Sequence, residues 1–138
     1  MDLSDALDLA RTRRFSVLVT MRTNGRPQLS NVGHLVGDDG LIRISITAER
    51  AKYKNLLRDP WAALDVARDD FYAYAVIEGD VELSPVASRV DDETVDELVE
   101  IYRGIAGEHE NWDDFREAMV REQRVVARLR PTRAYGML

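Results

Sequence analysis

The sequence predicts an α+β fold that is mainly β, in which the strands form a barrel and a pair of helices follows the fifth strand. Up to Leu83, short apolar or alternating runs are separated by turn signals, which is the pattern of strands. One short basic helix interrupts these runs after the third strand. Beyond Pro85 the apolar residues recur every three or four positions, which indicates amphipathic helices.

The first part of the chain holds one weak helical pattern, over residues 3–10, and five predicted strands. Asn24-Gly25 is a hairpin signal because both residue types tolerate positive φ. A second tight turn is expected over residues 37–40. Glu78-Gly79, inside the last of these strands, indicates a bulge or a close approach of two backbones. The strands are Phe15–Met21, Pro27–Val36, Leu41–Ile46, Trp61–Ala67 and Phe71–Leu83.

The second part of the chain adds two helices and a last strand. Apolar residues from Val95 to Ile105 follow the i, i+3, i+4 spacing of a helix, and Gly107 is suited to end it. Asn111 is the expected N-cap of the next helix, whose first turn is acidic. The last strand is predicted over residues 124–129, with residues 132–136 as its continuation. A β-meander interrupted by one helix favours a barrel.

Composition excludes several classes of function. A chain of 138 residues predicts one domain, residues 1–138. The sequence has no Cys, which excludes disulfides, thiol nucleophiles and cysteine metal sites. The net charge of −6 argues against general nucleic-acid binding. No apolar run reaches the ~18 residues of a membrane span, and the acidic first residues predict no signal peptide, so we expect a cytoplasmic protein.

Positive charge is concentrated in one segment of this acidic chain. Between Arg43 and Arg58 there are five cationic residues and one acid, and the segment holds both lysines of the sequence, Lys52 and Lys54. It starts a short helix that ends before Pro60, and a helix start favours anions. The pattern predicts a grip for the phosphate of a bound cofactor. A solvated basic helix that balances acidic neighbours explains the charge equally well.

Aromatic and imidazole side chains give no separate site. The two histidines, His34 and His109, are far apart in sequence, and a metal or a Ser-His-Asp site needs more partners than the chain offers. We therefore expect both to be structural. Trp61 and Trp112 are expected to anchor the core or an interface.

Six short motifs carry a resemblance to a known family. They resemble the pyridoxamine 5′-phosphate oxidase-like superfamily, and within it the actinobacterial branch that binds the deazaflavin coenzyme F420. The resemblance implies an FMN-binding-like split β-barrel that forms a homodimer, with cofactor sites at the subunit interface. The motifs are Gly25-Arg-Pro-Gln-Leu-Ser-Asn-Val32, Arg50-Ala-Lys52, Asn55-Leu-Leu-Arg-Asp-Pro60, Tyr72-Ala-Tyr74, Glu78-Gly79 and Ile105-Ala-Gly-Glu-His109.

The resemblance also implies ten cofactor-binding residues, in three groups. One group would hold the phosphate, a second would contact the ring or its ribityl chain, and the third would offer polar or aromatic contacts to the deazaflavin. Polar residues on a half-exposed strand, and tyrosines that pack across strands, are the ordinary explanations for the third group. The groups are Arg50, Lys52 and Asn55; Ser45 and Ile46; and Gln28, Ser30, Asn31, Tyr72 and Tyr74.

The function that the resemblance implies is hydride transfer between F420 and an unsaturated or quinone-like small molecule. The cofactor supplies this chemistry, which fits a sequence without an obvious catalytic constellation. Tyr74 is a weak candidate for a proton donor, and Lys54, Arg58 and Arg43 are candidates to bind the acidic tail of F420. Alternatives are an FMN-dependent enzyme of the same fold, or a non-catalytic protein that stores F420 or heme. Heme would require one of the two histidines as axial ligand.

Overall fold

The computed structural model describes residues 1–138 and confirms the α+β, mainly β fold. The helices are α1 (Leu3–Arg11), α2 (Ala51–Arg58), α3 (Glu93–Ala106) and α4 (Trp112–Arg121). The strands are β1 (Phe15–Met21), β2 (Pro27–Gly33), β3 (Leu35–Val36), β4 (Ile42–Thr47), β5 (Trp61–Ala67), β6 (Tyr74–Leu83) and β7 (Arg124–Met137). No helix combines the length and the apolar composition needed to span a membrane.

The strands form one curled antiparallel sheet in the order β2-β1-β5-β6-β7-β4-β3. This order departs from the predicted meander, because β4 pairs with β7 and not with β5. The two edges are β2 and the two-residue strand β3. Strand β2 approaches β4 without hydrogen bonding to it, so the barrel stays open there. We call this gap between β2 and β4 the seam.

Two apolar clusters stabilise the fold. The larger lies on the concave side of the sheet, where Ala6 and Ala10 of α1 and Leu56 of α2 pack against alternate residues of the strands. The smaller lies between β7 and the pair α3 and α4, around Leu98 and Phe115. The helix pair therefore covers only one part of the convex side of the sheet.

The predicted strand Pro27–Val36 is wrong, because His34 divides it into β2 and β3. The His34 backbone N–H donates to the carbonyl of Arg14, and its buried ring bridges the carbonyl of Ala10 and the hydroxyl of Ser16, at 2.9 and 2.8 Å. These bonds keep His34 out of the strand pairing. Before it, β2 pairs with β1, and after it, β3 pairs with β4 at the other edge of the sheet. As a result the helix pair follows the sixth strand.

The predicted start of the strand Phe71–Leu83 is also wrong, since β6 begins at Tyr74. Phe71 adopts a positive φ of 69°, and Asp70 Oδ1 accepts hydrogen bonds from the backbone N–H groups of Tyr72 and Ala73. An aspartate that bonds the backbone two residues ahead stabilises a turn. Tyr72 therefore lies in an exposed turn and does not share a strand face with Tyr74.

Caps and turns agree with the local sequence signals. The side chain of Asn111 accepts from the backbone N–H of Asp114 and caps α4, while Gly107 ends α3 with φ of 84°. In the first hairpin only Gly25 has positive φ, at 81°, and its N–H donates to the carbonyl of Arg22. Asn24 is not in the left-handed region, so the turn tightens through glycine alone.

The expected bulge in the Glu78-Gly79 pair is present. The register between β6 and β7 shifts between Glu78 and Gly79. A Cβ on Gly79 would overlap the backbone carbonyl of Arg130, so only glycine fits at this bulge between the two paired strands.

Replacing Gly79 with alanine is expected to destabilise the protein by on the order of 2–3 kcal/mol, because backbone of β7 must move. Gly40→Ala is the matched control: Gly40 has φ of 80° but open space around a Cβ. That change should cost about 1 kcal/mol from backbone strain alone. Urea unfolding monitored by circular dichroism gives both values; equal losses would contradict the steric explanation.

Candidate functional site

Three cationic side chains meet at the seam: Arg50 and Lys52 from the start of α2, and Arg124 from β7. Lys52, in the first turn of α2, lies with Nζ 3.4 Å from the hydroxyl of Ser30 on β2. Arg124 starts β7 and donates to the hydroxyl of Ser45 on β4 at 3.4 Å. Burial, and the charges of Arg50 and Arg124, lower the pKa of the Lys52 ammonium below its usual range. The ammonium is thus desolvated among other cations.

The seam has more positive charge than its carboxylates balance. Arg124 pairs with Glu122 at 2.8 Å, but neither Arg50 nor Lys52 forms a salt bridge. Arg50 is the N-cap of α2, and no side chain caps that helix. Apart from the N–H of Tyr53, which donates to the carbonyl of Arg50, the first N–H groups of the helix are therefore open to an anion, which the helix dipole also favours. A phosphate would supply the negative charge that this place lacks.

Asn55, the third predicted phosphate ligand, is already bonded within the protein. It is 6% exposed, and its Nδ2 donates to Thr20 Oγ1 at 3.2 Å and to Gln28 Oε1 at 3.0 Å. Its Oδ1 accepts from Arg58 at 3.2 Å. The amide joins α2 to β1 and β2, so Asn55 positions Lys52 and does not itself offer a free group to a phosphate.

The predicted residues of β2 do not share one face. Gln28 and Ser30 point toward α2, where they bond Asn55 and Lys52. Asn31 and Leu29 alternate with them and are exposed on the opposite face. Asn31 thus cannot join Gln28 and Ser30 on the same side of a ring.

The two predicted residues of β4 also face opposite ways. Ser45 is half-buried beside Arg124 and lines the site. The side chain of Ile46 is 1% exposed and belongs to the core on the concave side. Only main-chain atoms of Ile46 remain for contact with a ligand.

The two predicted tyrosines lie in different environments. Tyr72 is 80% exposed in the turn before β6. Tyr74 starts β6 on its convex face, opposite Met137 of β7 in the ladder. Neither phenol lines the cavity next to the seam.

A cavity of about 500 Å³ opens beside the cations, between the helix pair and the sheet. Ser45 and Arg124 line its polar end and belong also to the seam. Tyr102, from α3, is the residue with a hydroxyl on its helical wall. The remaining wall is apolar except for Glu122, and comprises Phe15, Gly33, Leu98, Ile101, Ile105, Ala106, Phe115 and Met119. The site therefore combines a cationic end with an apolar volume.

Of the three cations predicted to bind the acidic tail of F420, two are already bonded within the protein. Arg43 is held by Asp39 at 2.8 Å and by Glu97 at 2.8 Å, which raise its pKa, so it is not free. Arg58 donates to Asn55 and to the carbonyl of Met21. Lys54 alone is exposed and unpaired on α2.

The histidines have structural positions, as the sequence indicates. Because the carbonyl of Ala10 can only accept, Nε2 of His34 carries the proton and Nδ1 accepts from Ser16, and burial lowers the pKa of the ring. Both nitrogens of His34 are thus used. His109 stacks near Tyr102 and Trp112, with Nδ1 accepting from the backbone of Asn111. The chain contains no cluster of three or more His, Asp or Glu that could hold a metal.

Sequence reasoning did not assign the apolar wall of the cavity to the site, nor two of its polar residues, Arg124 and Tyr102. Arg124 was assigned only to the last strand, and Tyr102 only to an amphipathic helix. Both reach the site through tertiary contacts of β7 and α3, far along the chain from Lys52. No local motif marks them.

Several solved structures share this fold. One named F420 reductase is 24% identical, with a TM-score of 0.72 over 93% of this chain and 94% of that one. A pyridoxamine 5′-phosphate oxidase-related, FMN-binding protein from Nostoc punctiforme is 16% identical, with a TM-score of 0.60 over 96% and 80%. The heme storage protein HutZ from Vibrio cholerae is 16% identical, with a TM-score of 0.69 over 99% and 95%. At these identities the likeness extends to the fold alone.

A family model described as pyridoxamine 5′-phosphate oxidase matches residues 4–138, nearly the whole chain. The curled sheet, the seam and the helix pair are the architecture that the sequence motifs indicated. The protein belongs to the pyridoxamine 5′-phosphate oxidase family.

Proposed function

We propose that this protein is an F420-dependent oxidoreductase that reduces an unsaturated or quinone-like small molecule. The observation that carries the proposal is the unbalanced cationic seam that opens into an apolar cavity. A planar cofactor that carries a phosphate would match both parts of the site, because its phosphate would meet the cations and its ring would fill the apolar cavity. The motifs around Gln28, Lys52 and Tyr74 resemble the deazaflavin branch, and a structural neighbour is named F420 reductase.

The residues of the seam would bind and orient the cofactor. Lys52, Arg50 and the free N–H groups of α2 would hold the phosphate, and Ser30 and Ser45 would offer hydroxyls beside it. When bound, F420 supplies the hydride. The apolar wall of the cavity would exclude water from the acceptor, which lowers the dielectric around the reacting groups.

The proton donor, if the acceptor needs one, is better assigned to the cavity than to Tyr74. Tyr102 lines the cavity, whereas Tyr74 lies on the convex face of β6. The hydroxyl of a tyrosine can donate a proton. Tyr102 is therefore the proposed proton donor, and it replaces Tyr74 in this role.

FMN is the second candidate cofactor, because its phosphate would meet the same cations and an FMN-binding protein shares the fold. A side-by-side fluorescence titration of the purified protein with F420 and FMN separates the two. Tighter binding of F420 supports the proposal and justifies a screen of quinones and enones with reduced F420. Tighter binding of FMN would replace F420 with FMN, and binding of neither would overturn the proposal.

The two lysines of the chain provide a matched test. Lys52→Ala should weaken F420 binding by on the order of 1.5–3 kcal/mol, because one charge-assisted contact is removed. Lys54→Ala removes the same charge two residues away on α2, where the exposed side chain would meet only the acidic tail of F420 and is screened by solvent, and it should change affinity much less. Equal losses in both variants would indicate a diffuse charge effect and would contradict the phosphate grip.

Binding should also weaken at alkaline pH. In the free protein, burial and neighbouring cations hold the Lys52 pKa below its ordinary value of 10.5, and a bound phosphate favours the charged form. Between the pKa of Lys52 in the free protein and its higher pKa in the complex, binding thus takes up a proton, and affinity falls as pH rises. Titrations at increasing pH should show this fall in the wild type and in Lys54→Ala. A fall of the same size in Lys52→Ala would contradict the assignment.

Replacing Asn55 should lower the stability of the fold, because its amide bonds other residues of the protein and does not contact the ligand directly. Asn55→Ala leaves Thr20 and Gln28 without their shared partner, removes one of the two bonds of Arg58, and is expected to cost about 1–3 kcal/mol of unfolding free energy. Urea unfolding measures this loss, and Lys52→Ala, with no such network, is the comparison. An Asn55→Ala variant that keeps full stability but loses F420 binding would make Asn55 a ligand.

A further inference from the structure

Two charged residues line the cavity beside the seam, Glu122 and Arg124, and they pair with each other. Nε and Nη2 of Arg124 both donate to Oε1 of Glu122, at 3.2 and 2.8 Å. The third nitrogen, Nη1, donates to the hydroxyl of Ser45 at 3.4 Å. The charges at the polar end of the cavity therefore cancel, although this end lies next to the cations Arg50 and Lys52 of the seam.

The backbone between the two charged residues is held in an uncommon conformation. Gln123 has a positive φ of 52°, which is unfavourable for a residue with a Cβ. Its N–H donates to the carbonyl of Val120 at 3.1 Å, and its carbonyl accepts from the N–H of Ala48 at 3.0 Å. These bonds hold the turn from α4 into β7 that places Glu122 beside Arg124. Strained backbone that the surrounding structure holds in place is a feature of ligand sites.

We propose that Glu122 determines specificity, because it makes the cavity select neutral acceptors over acceptors that carry a carboxylate, sulfonate or phosphate. The presence of an acceptor in this cavity rests on the proposed function. By occupying the guanidinium of Arg124, Glu122 removes the cation that an anionic acceptor would otherwise bind. Its carboxylate would also repel a second anion inside an apolar volume, where charges are screened less than in water.

The pair also keeps the binding of the cofactor phosphate separate from the binding of the acceptor. Without Glu122, Arg124 would join Arg50 and Lys52 as a third unbalanced cation, and an anionic acceptor would compete with the phosphate for the seam. With the pair formed, the unbalanced charge stays at the start of α2. The apolar wall of the cavity then disfavours an acceptor with an unpaired charge, which is costly to bury, and accepts a neutral quinone or enone.

Two fluorescent probes that differ by one charge test this role. Anilinonaphthalene sulfonate and N-phenylnaphthylamine have the same aromatic rings, but only the first carries a sulfonate. Glu122→Gln should tighten the binding of the sulfonate probe about tenfold, because Arg124 becomes available for a charge-assisted bond. The affinity of the neutral probe should change less than about twofold, since it has no group for the guanidinium.

Glu117→Gln is the matched control, because it removes the same charge from α4 at an exposed residue that does not line the cavity. It should leave the affinity of both probes within about twofold of the wild type. Equal gains in sulfonate binding for the two variants would indicate a general charge effect and would overturn the proposal. The absence of any gain in Glu122→Gln would overturn it as well.

A double variant tests whether Glu122 acts through Arg124. When Glu122→Gln is combined with Arg124→Gln, the gain in sulfonate binding should be lost, because no guanidinium remains to bind the probe. A gain of the same size in the double variant would overturn the assignment of Arg124 as the cation that Glu122 occupies.

A variant inside the cavity shows where the probes bind. Ala106→Trp places a large side chain on the cavity wall and should weaken the binding of both probes. Unchanged binding of both probes in this variant would mean that the cavity takes no apolar ligand, and would overturn the proposal.

The probes bind without a cofactor, so these outcomes are separable from the cofactor assignment. The expected gain in Glu122→Gln, in a protein that binds neither F420 nor FMN, would leave the charge selection of the cavity standing and remove the proposed function. F420 binding without any change of probe affinity in Glu122→Gln would do the reverse.

Discussion

The buried amide of Asn55 fixes the geometry of the seam. The barrel is open between β2 and β4, and no backbone ladder crosses that gap. Helix α2 is tied to β4 by the chain, and Asn55 ties the same helix to β1 and β2 through Thr20 and Gln28. Together with the core packing of Leu56 and the bond from Arg58 to the carbonyl of Met21, this buried amide therefore sets the distance between the two halves of the site and the position of Lys52. A buried, fully bonded amide is well suited to this because its bonds are costly to break.

Local signals in the sequence were sufficient for most elements. The bounds of β1 and β5 agree with the prediction, and the basic helix ends just before Asp59-Pro60, because turn residues and proline act through their immediate neighbours. The errors occur where distant contacts override local pattern. His34 interrupts a continuous apolar-polar alternation because Ala10 and Ser16 bond its ring, and the pairing of β4 with β7 depends on residues far along the chain. Neither is encoded within a short window.

In the site, too, local sequence signals were sufficient for some residues, whereas others depend on distant contacts. The concentration of cations on α2 is visible in the sequence because its members are adjacent, and the structure leaves Lys52 and Arg50 unpaired at the seam. Arg124 and Tyr102 could not be found this way, because the fold brings them there from β7 and α3. The alternation of side chains along a strand explains why some predicted residues of β2 and β4 do not line the site. Ser30 and Asn31 are neighbours in sequence but point to opposite faces, so a motif that contains both residues cannot say which one meets a ligand.

Pairing decides which of the many arginines can act on a ligand. Several arginines form salt bridges that stabilise the helix pair and are therefore not available to a ligand. These salt bridges are Arg43 and Arg128 with Glu97, Arg103 with Glu100 and Glu108, and Arg116 with Asp96. In an acidic protein most cations are expected to find a carboxylate, and the informative ones are those that do not. Lys52 is such a case, because burial and neighbouring cations lower the pKa of its ammonium and no carboxylate pairs with it. A partly buried positive charge without a counter-charge points to an anion that the protein binds at the seam.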